Sequence, residues 1–369
     1  MSRERWPGKL PWGFLAALAL ASGVEWFVAR NWLDFTRPDS WEWRLSGRAA
    51  GREATGAGVL ALGSSVAKQG IVPRAIESAV GLPAFNLAVC AGSPISSYYL
   101  LRKAVEAGAR PKVVVVEFHP GMLTESPWLT VEFWPEVLDS RDCLDLAREA
   151  SDPRLFGAVM SARLLPTVRD RHGLRASVRA ALRGESGSQA LGVLAMRRNH
   201  RVNLGAKLAP RRVDPWAAPL PVESLHWACT PLNDRYVRRF LELAANQETH
   251  VVWLLPPVRP DLQARRGGPG QDRAYRTYAE GLLARHPGLT VVDARGAGFP
   301  ADLFIDAQHL NRDGALALTA RLNPTLAQAA AEALPGSWLP LSALDAPAVA
   351  VATEDMGESS RAVRRVLFR

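Results

Sequence analysis

The most constraining feature of this sequence is an unbroken run of four valines at residues 113–116. Consecutive β-branched residues favour a strand, and a run without polar alternation is typical of a strand buried on both faces of a parallel sheet. Similar short apolar runs, each close to a segment with helical periodicity, occur at residues 59–62, 84–89, 250–255 and 289–292. This alternation predicts a three-layer α/β/α sandwich around a mainly parallel sheet of about five strands.

The segment from about residue 125 to residue 227 interrupts the alternation. It contains amphipathic stretches rich in Arg, Leu and Ala, separated by Gly-Ser and Pro stretches. We interpret it as a helical insertion over the carboxyl edge of the sheet, where open α/β sheets bind ligands. The α/β domain then covers residues 57–334, and the Pro- and Ala-rich residues 335–369 are a peripheral C-terminal extension.

Residues 10–29 form a mostly apolar run, about as long as the ~20 residues that cross a bilayer as a helix. Arg3, Arg5 and Lys9 precede this run, and Glu25 near its outer end is its only charged residue. A basic leader before an apolar segment is typical of a signal for export. We therefore expect the rest of the chain to lie outside the cytoplasm, in the periplasm.

Two interpretations of residues 1–30 stay open. An uncleaved, single-pass membrane anchor is favoured by the length of the apolar run and by Trp12 and Trp26 near its ends, where interfacial aromatic residues lie. A signal peptide cleaved near residues 19–21 is the alternative. In either case residues 31–56, rich in Trp, Arg and Gly, are predicted to be a juxtamembrane linker.

The positive charge of the chain is concentrated in one block. The net charge is +9, and residues 141–212 alone hold fifteen Arg or Lys against six Asp or Glu. Such a block suits anionic lipid headgroups, an acidic polymer or nucleic acid, or is simply a solvated helical face. No zinc-finger spacing or RNA-binding aromatic signature accompanies the charge, so we do not expect a nucleic-acid partner.

The three cysteines, Cys90, Cys143 and Cys229, form no pair at metal-ligand spacing. We expect neither a metal nor a cofactor. A disulfide between Cys143 and Cys229 stays open for a chain outside the cytoplasm.

Two short motifs carry the chemistry of a hydrolase. The first apolar run ends in Gly63-Ser64-Ser65, and a serine between a strand and a helix is placed as a nucleophile in an open α/β sheet. Late in the chain, Asp306 precedes His309 by three residues. The carboxylate can bond one imidazole nitrogen, so that the other nitrogen points outward as a base.

These motifs resemble those of the SGNH/GDSL hydrolase superfamily, in particular its membrane-tethered envelope members, such as polysaccharide O-acetylation proteins of the alginate type. The resemblance covers about residues 57–124 and 249–333. It implies a flavodoxin-like sandwich, an acyl-serine intermediate and no cofactor. The family's Gly-Asp-Ser block reads Gly63-Ser64-Ser65 here, so the resemblance makes Ser65 the nucleophile and leaves Ser64, in the place of the aspartate, as a weaker candidate.

The resemblance also implies an oxyanion hole. Gly92 matches the glycine of the second block, whose backbone N–H is a donor. The third block normally supplies an asparagine side chain; here the strand continues into Glu117-Phe118-His119, without one. Either His119 donates instead, or the hole depends on the backbone N–H groups of Ser65 and Gly92.

The expected activity is that of an extracytoplasmic acyl esterase or O-acyltransferase, and the substrate is an acylated small molecule or an envelope glycan. The same residues serve both reactions, because water and a sugar hydroxyl differ only as acceptors. A membrane acyl-donor protein is a partner that the transfer reaction would use. Two alternatives stay open: a non-catalytic glycan-binding or assembly protein on the same scaffold, and an anionic-lipid-binding anchor protein.

Overall fold

The computed structural model describes residues 12–185, 189–211, 227–262, 271–341 and 350–367. The described strands are β1 Val59–Gly63, β2 Ala84–Asn86, β3 Val113–Glu117, β4 His250–Leu255, β5 Leu289–Asp293 and β6 Trp338–Pro340. They form one sheet in the order β2-β1-β3-β4-β5-β6, and every pairing is parallel. The mixed α/β class and the parallel sheet expected from the sequence are confirmed.

The predicted number of about five strands is corrected to six. The additional strand, β6, lies at the edge of the sheet beside β5 and comes from the segment expected to be a peripheral extension. It is only three residues long and ends in Pro340, which suits an edge position. So short a strand leaves no alternation in the sequence by which it could be recognised.

The α-helices between and around the strands are four to nineteen residues long. Those before the insertion are α1 Trp12–Arg30, α2 Trp32–Phe35, α3 Pro38–Ala50, α4 Ser65–Gly70, α5 Pro73–Val80, α6 Pro94–Glu106 and α7 Pro120–Thr124. Those of the insertion are α8 Ser140–Glu149, α9 Pro153–Leu164, α10 Pro166–Arg169, α11 Arg171–Leu182 and α12 Ala190–Val202. Those that follow are α13 Pro231–Ala245, α14 Gln271–Leu283, α15 Arg312–Ala330 and α16 Met356–Leu367.

Both faces of the sheet are covered by helices. Leu60 and Val114 belong to a buried apolar cluster that includes residues of α3, α6, α13 and α14. Their sequence neighbours Ala61 and Val115 point to the opposite face, where they share a second cluster with residues of α5 and α15. Because strand side chains alternate between faces, a run such as the four valines serves both clusters.

The first helix, α1, is long and apolar enough to cross a membrane, and most of its side chains are exposed. It is not isolated from the rest of the chain. Glu25, its only acidic residue, accepts a hydrogen bond from the backbone N–H of Thr167 in α10 at 3.0 Å, and a second one from the Thr167 hydroxyl. The insertion therefore contacts α1 near its C-terminal end.

The stretch predicted as a juxtamembrane linker contains α3, whose residues Trp43 and Ser46 are fully buried. The insertion packs beside it: α12 contacts α3, and α8 lies next to α6, where Asp145 accepts a hydrogen bond from Tyr99 at 2.7 Å.

The disulfide between Cys143 and Cys229 that the sequence left open is not formed in the structure. Both residues are free thiols.

Candidate active site

The serine loop, residues 63–65, connects β1 to α4. Gly63 has a φ of +129°, and an added Cβ there would lie 2.4 Å from the carbonyl oxygen of Glu117 on the adjacent strand. Only glycine fits this position, because the two strand ends approach so closely. The Ser64 hydroxyl caps α4 by accepting a hydrogen bond from the Val66 N–H at 3.2 Å. This cap leaves Ser65 at the first position of the helix, with its side chain facing the carboxyl edge of the sheet.

The acid–histidine loop, residues 306–309, precedes α15. Asp306 Oδ1 accepts hydrogen bonds from the backbone N–H groups of Gln308 at 2.9 Å and His309 at 2.8 Å. Its other oxygen, Oδ2, lies 2.7 Å from His309 Nδ1. The Asp-x-x-His spacing thus closes one tight turn in which the carboxylate holds both the backbone and the imidazole.

The two loops meet across 244 residues of sequence. Ser65 Oγ and His309 Nε2 are 2.8 Å apart, a normal hydrogen-bond distance. Because Nδ1 faces a carboxylate and carries the proton, Nε2 is the nitrogen that accepts from the serine hydroxyl. The three residues chosen from the sequence as nucleophile, base and acid therefore form one continuous hydrogen-bonded chain.

The protonation state of Asp306 suits this arrangement. Partial burial opposes its charged form, but the hydrogen bond from His309, the attraction of that ring when it is protonated and the two backbone N–H groups outweigh burial and hold the Asp306 pKa below its ordinary value. An ionised Asp306 keeps the Nδ1 proton in place and stabilises the imidazolium that forms when His309 takes a second proton.

Ser64 has a different set of partners. Its hydroxyl donates to Glu117 Oε2 at 2.5 Å, and its backbone N–H bonds the same oxygen at 3.1 Å. Glu117 is fully buried at the end of β3, in register with Gly63. The position that holds an aspartate in the Gly-Asp-Ser pattern is thus occupied by a serine whose carboxylate partner comes from the neighbouring strand.

Glu117 is a site residue that the sequence reasoning missed. Burial raises its pKa, against the hydrogen bonds from Ser64 and the attraction of His309 when that ring is protonated, which act in the opposite direction. Its other oxygen, Oε1, has no hydrogen-bond partner within the described residues. The only signal in the sequence is an acidic residue that directly follows four valines, where a solvent-free strand end is expected.

Gly92 and His119, which were predicted to contribute to the oxyanion hole, both make hydrogen bonds within the protein. The Gly92 N–H donates to the Val89 carbonyl at 3.0 Å, so this donor is already engaged. An added Cβ at Gly92 would lie 2.1 Å from the Gly63 carbonyl oxygen, and the glycine allows its loop to pack directly on the end of β1. His119 caps α7, and its Nδ1 accepts from the Gly121 N–H at 3.1 Å.

Helix α3 holds the loop that contains Gly92. Glu42 Oε1 accepts from the Cys90 N–H at 2.6 Å, and the Trp43 indole donates to the Cys90 carbonyl at 2.9 Å. Ser46 donates to the Ala88 carbonyl at 3.3 Å. Both backbone groups of Cys90 are therefore fixed by one helix, in a stretch that was predicted to be a linker.

Two lysines complete this polar cluster. Lys207 Nζ lies 3.2 Å from Glu42 Oε2, and the fully buried Lys68 Nζ donates to the Ser46 hydroxyl at 3.0 Å. Lys68 belongs to α4, one turn after Ser65. The cluster therefore connects the helix that carries the nucleophile to α3 and to the loop around Cys90.

Among the described residues, no group of three or more His, Cys, Asp or Glu side chains is arranged to hold a metal ion. Comparison of the chain with protein-family models and with curated proteins finds no match. The site is therefore interpreted from its own geometry.

Proposed function

We propose that the chain is an extracytoplasmic, serine-dependent acyl esterase or O-acyltransferase that acts on an envelope or exported glycan, on an SGNH-like scaffold. The observation that carries the proposal is the hydrogen-bonded chain from Ser65 Oγ to His309 Nε2 and from His309 Nδ1 to Asp306. A nucleophile, a base and an orienting acid at these distances are the parts that acyl transfer needs.

In the proposed reaction, His309 Nε2 takes the proton of the Ser65 hydroxyl while the oxygen attacks an acyl carbonyl. The imidazolium then gives that proton to the leaving alcohol, and an acyl-serine ester remains. Water or a sugar hydroxyl next loses its proton to His309 and attacks the ester carbonyl. The imidazolium then returns this proton to Ser65 Oγ as the bond to the acyl group breaks, which restores the free serine and releases a carboxylic acid or a new ester. The first acceptor makes the protein an esterase, and the second makes it an acyltransferase.

The developing oxyanion needs donors. The Ser65 N–H, in the first turn of α4, has no acceptor within the helix and is the first candidate. The Gly92 N–H would join it only by leaving the Val89 carbonyl. We therefore expect the loop of residues 88–92 to adjust when substrate binds, since apo geometry often tightens in the complex.

Supporting the envelope location is α1, which we propose as an uncleaved anchor with the catalytic domain on the extracytoplasmic side. The proposed substrate is an acylated glycan or a smaller acyl ester, with a membrane acyl-donor protein as the partner if the reaction is a transfer.

The test compares the full-length protein with its Ser65→Ala and Ser64→Ala variants on p-nitrophenyl acetate, with intact-mass detection of the acyl adduct. Ser65→Ala should lose turnover by about 10⁶-fold, down to background, together with the adduct. Ser64→Ala, its immediate neighbour, should still form the adduct, because its hydroxyl faces Glu117. Equal turnover by all three proteins would exclude the proposal.

A second candidate, a non-catalytic glycan-binding or assembly protein, is favoured by one observation. The Gly92 N–H is bonded to Val89, and no asparagine side chain follows β3 in the position that the family pattern supplies. Glycan binding that survives Ser65→Ala, without any acyl adduct on the unsubstituted protein, would support this alternative.

A further inference from the structure

Helix α11 carries two parallel stripes of side chains. Arginines recur at every fourth position, at Arg171, Arg175, Arg179 and Arg183, the last just beyond the helix. Beside them, Leu174, Val178 and Leu182 also recur at every fourth position. Val178 is 59% exposed and Leu182 is 83% exposed, which is unusual for large apolar side chains. Such a helix matches the pattern of one that lies in a membrane interface.

The corner between α9 and α10 continues this apolar surface. Leu164 is 69% exposed and Leu165 is 41% exposed. Two residues later, Thr167 is hydrogen-bonded to Glu25 of α1. Glu25 precedes the last residue of α1, Arg30, by five positions, or about 7.5 Å of helix. The corner is therefore attached to α1 close to the C-terminal end of its apolar segment.

The opposite face of α11 is packed on α2, which directly follows α1. An added Cβ at Gly173 would lie 1.6 Å from the Phe35 carbonyl oxygen, and the Ser177 hydroxyl donates to the Asp34 carbonyl at 3.3 Å. The inner face of α11 is therefore fixed next to the point where the chain leaves α1. Its outer face, with Val178 and Leu182, has no apolar cover from the described residues.

We propose that α11 and the corner at residues 164–167 lie on the membrane surface from which α1 emerges, as a second, peripheral contact with anionic lipid. The inference depends on α1 crossing the bilayer, and it goes beyond the proposed catalytic activity. The four exposed apolar side chains, Leu164, Leu165, Val178 and Leu182, enter the interface, and the arginines of α11 face lipid phosphates. Arg175 and Arg179 form no salt bridge within the described ranges, so both charges are available to headgroups.

This contact would fix the orientation of the catalytic domain. A single transmembrane helix lets a domain tilt and rotate, whereas a second contact through α11 sets one face of the protein parallel to the bilayer. Because α3 follows α2 and holds the loop around Cys90, the active site would stand at a defined height above the lipid.

The experiment places a fluorescent thiol label at Leu182→Cys in the full-length protein, in nanodiscs that contain brominated lipid. Leu18→Cys in α1 reports on the span, and Gln328→Cys in α15, on the other face of the sheet, is the matched exposed control. The three native thiols should label poorly, because burial raises the pKa of Cys143 to about 11 and those of Cys90 and Cys229 to about 12. The unsubstituted protein measures that background.

Brominated lipid should quench the labels at positions 18 and 182 and leave the label at position 328 unchanged. Quenching at 182 should be stronger with phosphatidylglycerol than with phosphatidylcholine alone. Arg175→Gln together with Arg179→Gln should lower the ratio of docked to undocked protein about 25-fold, since each arginine near an anionic surface contributes a factor of about five.

A label at 182 that behaves like the one at 328, while position 18 is quenched, would overturn the proposal. Cross-linking between two copies through position 182 would also overturn it, because a second chain would then be the occupant. The readout does not use catalysis, so Ser65→Ala should give the same quenching and the two proposals can fail separately.

Discussion

The acid–histidine loop is held mainly by hydrogen bonds within the loop, with one distant backbone contact from the Arg259 N–H to the Ala307 carbonyl at 3.1 Å. The serine loop is held instead by side chains from distant parts of the chain. Asp306 bonds residues two and three positions away. Ser64, by contrast, depends on Glu117, which is 53 residues away, and the α4 helix that follows contacts α3 through Lys68. A change in the first loop should therefore alter chemistry with little effect on folding, while a change around the second should alter both.

Among the variants that keep the Ser65 hydroxyl, Asp306→Asn should have the largest effect on turnover, because it changes the protonation of His309 and leaves the loop folded. If the asparagine oxygen keeps the two backbone N–H groups, its NH₂ group faces His309 Nδ1, which must then be an acceptor. The imidazole proton moves to Nε2, and the base can no longer receive the Ser65 proton. We expect a loss of about 10⁴-fold in kcat for p-nitrophenyl acetate.

Asp302 is an exposed aspartate four residues before Asp306. Asp302→Asn is therefore the matched control and should retain activity. Thermal unfolding of both variants should remain close to that of the unsubstituted protein. A loss of activity no larger than that of the control would contradict the assigned role of Asp306.

Glu117→Ala tests the serine loop, which is the long-range half of the site because its partners come from distant parts of the chain. It leaves the buried N–H and hydroxyl of Ser64 without their acceptor, so denaturant unfolding should show a destabilisation of about 1–3 kcal/mol. Activity should fall as well, because the turn before Ser65 loses its anchor. Glu117→Gln keeps an acceptor oxygen and should recover part of both losses, whereas the exposed Glu106→Ala should change neither. Equal effects of alanine and glutamine would refute the hydrogen-bonding role.

The local half of the site could be predicted from the sequence because its geometry is contained in short motifs. Three residues of spacing suffice to bring Asp306 against His309, and an apolar run before Gly63-Ser64-Ser65 suffices to place a serine at a strand end. The strands at β1, β3, β4 and β5 were found for the same reason, since burial on both faces leaves a continuous apolar run.

The remaining features depend on single polar residues that meet across long stretches of chain. Glu42 and Lys207 are 165 residues apart, and no periodicity connects them. The stretch that forms α3 was predicted to be a Trp- and Arg-rich linker. Its buried face includes Glu42 and Ser46, and the sequence does not indicate the distant partners of these polar residues. Glu117 was overlooked for the same reason, because its partner Ser64 lies in the loop that follows the adjacent strand β1.

Lys68 gives the smallest and most specific test of the long-range half. Burial lowers its pKa from 10.5 to about 8, against the attraction of Glu42 and with a small contribution from Lys207. Between these two pH values the unfolded chain binds more protons than the folded chain, so the stability that depends on this residue rises with pH. The rise should be about 1 kcal/mol between pH 8 and pH 9.

Lys68→Met should remove this rise, and the exposed Lys112→Met should retain it, as measured by urea unfolding at each pH. An identical pH dependence in the unsubstituted protein and Lys68→Met would show that the lysine is not buried in the way described. Asp306→Asn should keep the full rise although it strongly lowers turnover, because the acid–histidine loop takes no part in the cluster of Glu42, Ser46 and Lys68. Loss of the rise in that variant would mean that the two halves of the site are one cooperative unit.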